Sequence, residues 1–330
     1  MLETTPNDLD RSIVSRELGG FVPPRVFDAH AHFYDERHFS SPPEMSAAGL
    51  PSAGWDAYLR LIAPILPDRE LSGLFFAMPS PDLDIAGAND FTLEEVRRDE
   101  RSRMQLLITP ATPTDDIERQ IADPRIVGLK VYHYYADCKP TFDAPIAAMI
   151  TEEQLAVADS HGLTITLHMV RQRAIADPVN QNALRDYARR FPNIRWILAH
   201  AARGFNIYDL LDGIDSIRDL ENMYCDTSAI AEADALGIVI EAFGTQRVMY
   251  GSDFPVSHER GRCVTIADSF LWLSPENVDT KAPYGEVKMC WIGVEALRAH
   301  RLACRRLRLT DTEVEDLFCN NATRLLCLDD

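Results

Sequence analysis

Several things are scarce in this 330-residue chain, and each scarcity removes a class of protein. Basic residues are outnumbered, 33 Lys and Arg against 51 Asp and Glu, so the formal net charge is −18. Such a surface repels nucleic acid and anionic lipid, which excludes both as expected partners. No apolar run approaches bilayer-spanning length, so no membrane role is expected. Met1 to Arg16 is polar and acidic with no apolar stretch of the secretory kind. The seven cysteines (Cys138, Cys225, Cys263, Cys290, Cys304, Cys319 and Cys327) form no CxxC pair. In a chain of this size they read as reduced thiols, and a cytoplasmic location is the expectation. None has a recognisable base partner, which disfavours thiol nucleophilic chemistry. Internal repeats and low-complexity tracts are absent.

What is present is a recurring alternation. Apolar, β-branched-rich runs at Arg25–Ala29, Leu71–Met78, Met104–Thr109, Val127–Tyr132, Leu163–His168, Ile194–Ala199, Asn222–Asp226 and Arg247–Tyr250 are separated by helical patterns. Eight such βα units predict a (β/α)8 TIM barrel, one domain over residues 1–330 with a polar lead-in over residues 1–20. Thr92-Leu93-Glu94-Glu95 and Thr151-Glu152-Glu153-Gln154 are helix-start signals, and Pro178 to Phe191 carries helical periodicity. Phe33 to Leu66 and Pro255 to Gly285, after the first and last strands, are expected as long inserted loops, the latter including Trp272 and Pro283. Two helices, Glu286–Arg306 and Thr310–Leu326, are expected to close the chain.

The chemistry-bearing residues sit at strand ends. His30 and His32 are two residues apart on the first strand, so they share a face and can grip one cation. His168, His200 and Asp253 end the fifth, sixth and eighth strands, and in a parallel barrel those ends surround one mouth. Imidazole and carboxylate suit Zn²⁺, and also Mn²⁺ or Fe²⁺. His30, His32, His168 and Asp253 are therefore the expected ligands of one divalent metal. Such a metal brings the pKa of bound water to roughly 7, and Asp253 is placed to move the proton. His200 is expected to polarise a substrate carbonyl or to ligate a second metal.

These motifs, Asp28-Ala29-His30-Ala31-His32, His168, His200, Gly251-Ser252-Asp253-Phe254-Pro255 and the closing Asn320-Asn321-Ala322-Thr323-Arg324-Leu325-Leu326, resemble the amidohydrolase superfamily, in particular its amidohydrolase-related branch. The likeness covers about residues 25–328. It implies a mononuclear metal site formed by His30, His32, His168 and Asp253, usually with zinc, and a catalytic His200. That branch holds hydrolases and lactonases as well as nonoxidative decarboxylases. Lys130 stands near the lysine that bridges two metals in binuclear members, and here it reads as a substrate-binding or structural group. A homodimer is plausible by the same resemblance.

The expected activity is hydrolysis of an amide, ester or lactone by metal-bound hydroxide, with the metal and His200 stabilising the oxyanion. The alternative is decarboxylation of an unsaturated or aromatic acid, and the remote alternative is a non-catalytic barrel with a structural metal. Arg171 and Arg203 follow the fifth and sixth strands, as does Arg173. A guanidinium fork there suits a small anionic, carboxylated substrate. His133 reads equally as a substrate contact or a loop-packing residue. Trp55, Tyr58 and Trp272 are candidate pocket walls, and Trp291 is expected in the core. His38, His161, His258 and His300 are expected in solvated positions.

Overall fold

Runs of Val, Ile, Leu and Phe with no polar alternation can be satisfied only by strands covered on both faces, and that is where they lie. The computed structural model describes residues 2–279, 281–282 and 285–328, so Pro283 falls outside the described residues. Eight strands follow the chain: β1 (Arg25–Asp35), β2 (Glu70–Ala77), β3 (Arg103–Ile108), β4 (Ile126–Tyr132), β5 (Thr164–His168), β6 (Arg195–Leu198), β7 (Met223–Asp226) and β8 (Val248–Met249). Each pairs in parallel with the next. The sheet closes because the chain leaving β8 hydrogen-bonds back to β1. Ala29 N–H donates to Tyr250 C=O (2.8 Å), Asp253 N–H to His30 C=O (2.8 Å) and His32 N–H to Phe254 C=O (2.7 Å). The result is the closed (β/α)8 barrel expected from the alternation, with strand bounds within a few residues of the sequence reading except in β1, which runs on to Asp35.

The outer layer is legible where caps are strong. Thr151 and Gln154 form a reciprocal capping box on the helix Glu152–Ser160, and Thr310 and Glu313 do the same on Asp311–Glu315. Pro178 opens the helix Pro178–Arg190 as its first residue. One start signal fails. The helix after β2 begins at Ile85 on an Asp84 cap, and Thr92 lies inside it, its hydroxyl donating to the Ala88 carbonyl (2.8 Å). A mid-helix threonine can bond back one turn, which makes it a poor marker of helix starts. The closing segments also shift. The penultimate helix runs Ile292–Leu307, and the last is Asp311–Glu315, a π-turn over Asp316–Asn320 and Asn321–Leu325.

Among the described residues, the expected long loops carry regular elements. After β1 extends to Asp35, a two-residue strand, Ser52–Ala53, pairs antiparallel with its end, and the helix Trp55–Ile62 packs beneath. Trp55 and Tyr58 are buried there, stacked on each other, rather than lining a pocket. After β8, the antiparallel hairpin β9 (Arg262–Ile266) and β10 (Ser269–Leu273) leans over the mouth. Asn206 Nδ2 ties it down by donating to the Ala267 and Ser269 carbonyls (3.1 and 2.7 Å). Two histidines expected in solvent are buried. His258 Nε2 meets the Leu61 carbonyl at 2.8 Å, and His300 bridges the Thr227 hydroxyl and the Ala296 carbonyl. Trp291 is wholly buried, as expected.

The lead-in is more than polar chain. Asn7 and Asp10 form a capping box on the helix Asp8–Ile13, and Ile13, Val14 and Leu18 are buried. Asp10, itself buried, accepts from Arg260 Nη1 (2.9 Å) and from Trp291 N–H (3.0 Å), pinning this segment against the barrel. Removing one partner of a buried pair strands the other charge. Asp10→Ala is therefore expected to lower unfolding free energy by about 3 kcal/mol. Chemical denaturation followed by circular dichroism measures this, and an unchanged midpoint would contradict the pinning role.

Candidate active site

The floor of the mouth is built by strand irregularities as much as by strands. The β1–β2 register slips between Asp28 and Ala31, a bulge that re-aims His30. Gly251 passes so close to β1 that a Cβ there would stand 2.8 Å from His30 Cβ, which is why the chain leaving β8 needs glycine at this point. Asp28, wholly buried, locks the two segments. Its Oδ1 accepts from Ser252 N–H (2.8 Å) and His30 N–H (3.2 Å), and its Oδ2 from the Tyr58 hydroxyl (3.0 Å). Burial pushes its carboxyl up to about 6, against the pull of those donors.

On that floor His30, His200 and Asp253 bring one ligand-type atom each to within 4.8 Å of the others. His32 Nε2 stands 3.5 Å from Asp253 Oδ1, and the His168 ring centroid lies 5.1 Å from that of His200. The tightest triple thus contains His200, with His32 beside it and His168 one ring farther out. His30 donates from Nδ1 to Asp226 Oδ2 (2.8 Å), which turns its Nε2 lone pair toward the floor. Lys130, wholly buried, holds its ammonium 3.2 Å from that Nε2 and 4.0 Å from the centre of the Phe76 ring.

The electrostatics suit cation binding. Burial pushes His30 down to about 3 and His168 well below the ordinary histidine range, with Lys130 adding to the shift in both, and it lowers His32 as well. All three are neutral imidazoles at pH 7, the form that ligates metals. Asp253 and Asp226 are pushed up by burial, but the neighbouring histidines hold both well below the usual carboxylate range. Burial also brings Lys130 down to about 7. A donor set of neutral imidazoles and ionised carboxylate fits a divalent metal, which would take the His30 Nε2 lone pair in place of the Lys130 ammonium.

Above the floor is a cavity of about 540 Å³. Tyr132, Phe142, Phe205, Phe270 and Trp272 supply aromatic walls, and His32, His168, His200 and Asp253 reach it from below. Arg203 enters from the side on an unusual turn. His200, Ala201, Ala202 and Arg203 all take left-handed backbone angles, with φ of 55°, 53°, 56° and 59°. Non-glycine residues pay roughly 1–2 kcal/mol each for this conformation. The Arg203 guanidinium lies over the rings of Phe142 (4.5 Å) and Phe270 (5.4 Å), and Nη1 donates to the Arg171 carbonyl (2.9 Å). Among the described residues it has no carboxylate partner, and burial lowers it to about 10.

Arg171 and Arg173 do not join it. Arg171 is engaged by Asp177 (2.8 Å) and the Asp143 carbonyl, and Arg173 by Asp209 and Asp212. His133 does line the cavity, 5.5 Å from His168 between ring centres, and burial pushes it down to about 4. Sequence reasoning passed over Asp226, Ser228 and Asp28. Asp226 ends the seventh strand as Asp253 ends the stretch after the eighth, and that position was the signal available.

Comparison with known proteins agrees with this architecture. The family model described as amidohydrolase matches residues 27–328. No curated protein sequence matches the chain. A Burkholderia multivorans amidohydrolase solved with bound zinc has a TM-score of 0.63 and 14% identity over 92% of this chain and 99% of its own. An Acinetobacter baumannii protein described as a probable 2-pyrone-4,6-dicarboxylic acid hydrolase, solved with citric acid, gives 0.58 and 13% over 92% and 99%. The 5-carboxyvanillate decarboxylase of Sphingomonas paucimobilis gives 0.52 and 16% over 93% and 100%. At these identities the likeness establishes a shared fold.

Asp226 offers a sharp test of the floor. An asparagine there can keep its oxygen on the main-chain donors and turn its NH₂ toward His30 Nδ1. That nitrogen must then accept, which moves the His30 proton to Nε2 and blocks the lone pair. Asp226→Asn is expected to weaken zinc binding by about 10- to 100-fold with secondary structure retained. Calorimetric titration of the metal-stripped protein measures it, and wild-type affinity would show that Asp226 does not set the His30 tautomer.

Proposed function

The chain belongs to the amidohydrolase family, and from that premise we propose that it is a metal-dependent hydrolase cleaving an amide, ester or lactone of a small carboxylated substrate. The observation that carries this reading is the pairing, across one cavity, of a His and Asp floor with an Arg203 guanidinium that has no carboxylate partner among the described residues. His30, His32, His168 and Asp253 would hold the metal, with zinc favoured over manganese or iron. When bound there, such a cation supplies an acidified water and polarisation of a carbonyl oxygen.

The chain's own groups do the rest. Arg203, flanked by Phe142 and Phe270, binds the substrate carboxylate in a partly desolvated setting where a charged hydrogen bond is strong. A locally basic wall also offsets the repulsion that a net charge of −18 exerts on an anion. The aromatic walls orient the body of the substrate and exclude water around it. Proton traffic falls to Asp253 and His200, which both face the cavity from its floor.

A second reading, nonoxidative decarboxylation of an unsaturated or aromatic acid, is supported by the flat faces of Tyr132, Phe142, Phe270 and Trp272, which suit a conjugated ring. Incubating metal-replete protein with lactones, amides and unsaturated acids in ¹⁸O-water separates the two. Hydrolysis places ¹⁸O in a new carboxylate, whereas loss of CO₂ without ¹⁸O incorporation moves the protein to the decarboxylases. Arg203→Met is expected to raise KM for carboxylated substrates roughly 10- to 100-fold, the equivalent of a charged hydrogen bond of about 1.5–3 kcal/mol. Steady-state kinetics on matched acidic and neutral substrates tests this, and an equal loss on both would remove the carboxylate-anchor role.

A further inference from the structure

Ser228 lies two residues beyond the end of β7 and is wholly buried. Its hydroxyl oxygen is 2.6 Å from Asp226 Oδ1 and 2.8 Å from His200 Nδ1, and its own main-chain carbonyl is 3.1 Å from the same Nδ1. The direction of each bond follows from counting protons. A serine hydroxyl has one proton to give, and an ionised carboxylate can only accept. The hydroxyl proton therefore goes to Asp226, and the oxygen meets Nδ1 as an acceptor. The carbonyl can only accept as well. Two acceptors converge on Nδ1, so Nδ1 carries the ring proton. Nε2 is left as the nitrogen on the cavity side, the one that carries the lone pair when the ring is neutral.

The same carboxylate oxygen also accepts His200 N–H (3.1 Å) and Ser228 N–H (3.1 Å). One buried atom thus fixes the first residue of the left-handed turn, the backbone after β7 and the hydroxyl that reads the His200 ring. This is tighter control than packing alone requires, and it fixes the protonation pattern as well as the position.

We propose that Ser228 is a positioning residue which, backed by Asp226, presents His200 to the cavity as a proton acceptor. Held this way, the neutral ring has only a lone pair to offer the cavity, which suits a base rather than the carbonyl-polarising role expected for His200 from sequence. On the hydrolase reading, on which this assignment of the step rests, a water O–H bond breaks and its proton passes to Nε2 while the oxygen bonds to the carbonyl carbon. When the bond from that carbon to the leaving nitrogen or oxygen breaks, the proton passes from Nε2 to the departing atom and His200 returns to its starting form.

The test begins with the tautomer, which is independent of any substrate. In full-length, ¹⁵N-histidine-labelled protein near neutral pH, with His200→Gln used to assign the signal, long-range ¹H–¹⁵N correlation should show a protonated Nδ1 and an unprotonated Nε2. A protonated Nε2, alone or in an imidazolium, overturns the proposal whatever reaction the enzyme runs. Ser228→Ala should cut kcat about tenfold with little change in KM, and should let the His200 signal split or broaden between tautomers. Ser228→Thr, which keeps the hydroxyl, should restore both. Wild-type kcat and tautomer signature in Ser228→Ala would remove Ser228 from the arrangement. Absence of ¹⁸O incorporation alongside the expected tautomer would instead refute the hydrolase reading and leave the positioning role intact.

Discussion

A carboxylate sealed from water must find donors for both oxygens, and at Asp226 that requirement organises the whole mouth. Its donors come from β1, from the turn after β6 and from the segment after β7. Three barrel strands are thereby held in one relative position at their C-terminal ends. Because the group can only accept, it also dictates which nitrogen of His30 keeps its proton. Position and protonation are set by the same contact.

The second organising influence is burial. Taking imidazoles and an ammonium out of water favours their neutral forms, and taking carboxylates out of water does the same unless cations face them. On this floor the carboxylates win that contest and the histidines do not, so the region holds negative charge beside neutral nitrogen donors. A divalent cation is the natural complement of such a set. Arg203 works by the opposite logic. It is a cation surrounded by ring faces and carbonyl oxygen, with no carboxylate partner among the described residues. The two ends of the cavity therefore differ in electrostatic character over the length of a small molecule.

Much of this could be read from sequence because strand-end positions in a parallel barrel converge by topology alone. His30, His32, His168, His200 and Asp253 all meet at the mouth for that reason, and Arg203 follows His200 closely enough to be carried with it. What could not be read was pairing between distant segments. Arg171 and Arg203 look alike in sequence, yet among the described residues only Arg171 has an aspartate within reach, because Asp177 happens to cap the next helix. His258 and His300 sit among polar residues in the chain, but each finds a buried carbonyl in space. The bulge in β1 has no signature in Asp28-Ala29-His30, since it is imposed by the chain returning from β8. Asp226 was hidden for a similar reason, as its partners are 26 and 196 residues away.

The left-handed turn from His200 to Arg203 carries a consequence for how this protein can be changed. Two of its four residues, Ala201 and Ala202, have wholly buried side chains and no chemistry of their own. Glycine at either would relieve about 1–2 kcal/mol of backbone strain against an unfolded-state entropy cost of about 0.5–1 kcal/mol and about 0.8 kcal/mol for the buried methyl it removes. Wherever the strain outweighs those costs, a search for thermostable variants would be drawn to these positions. The gain would come from freeing the hinge between the ring that faces the floor and the guanidinium that faces the substrate, so stability selected blindly here would be taken from the spacing on which recognition and chemistry jointly depend.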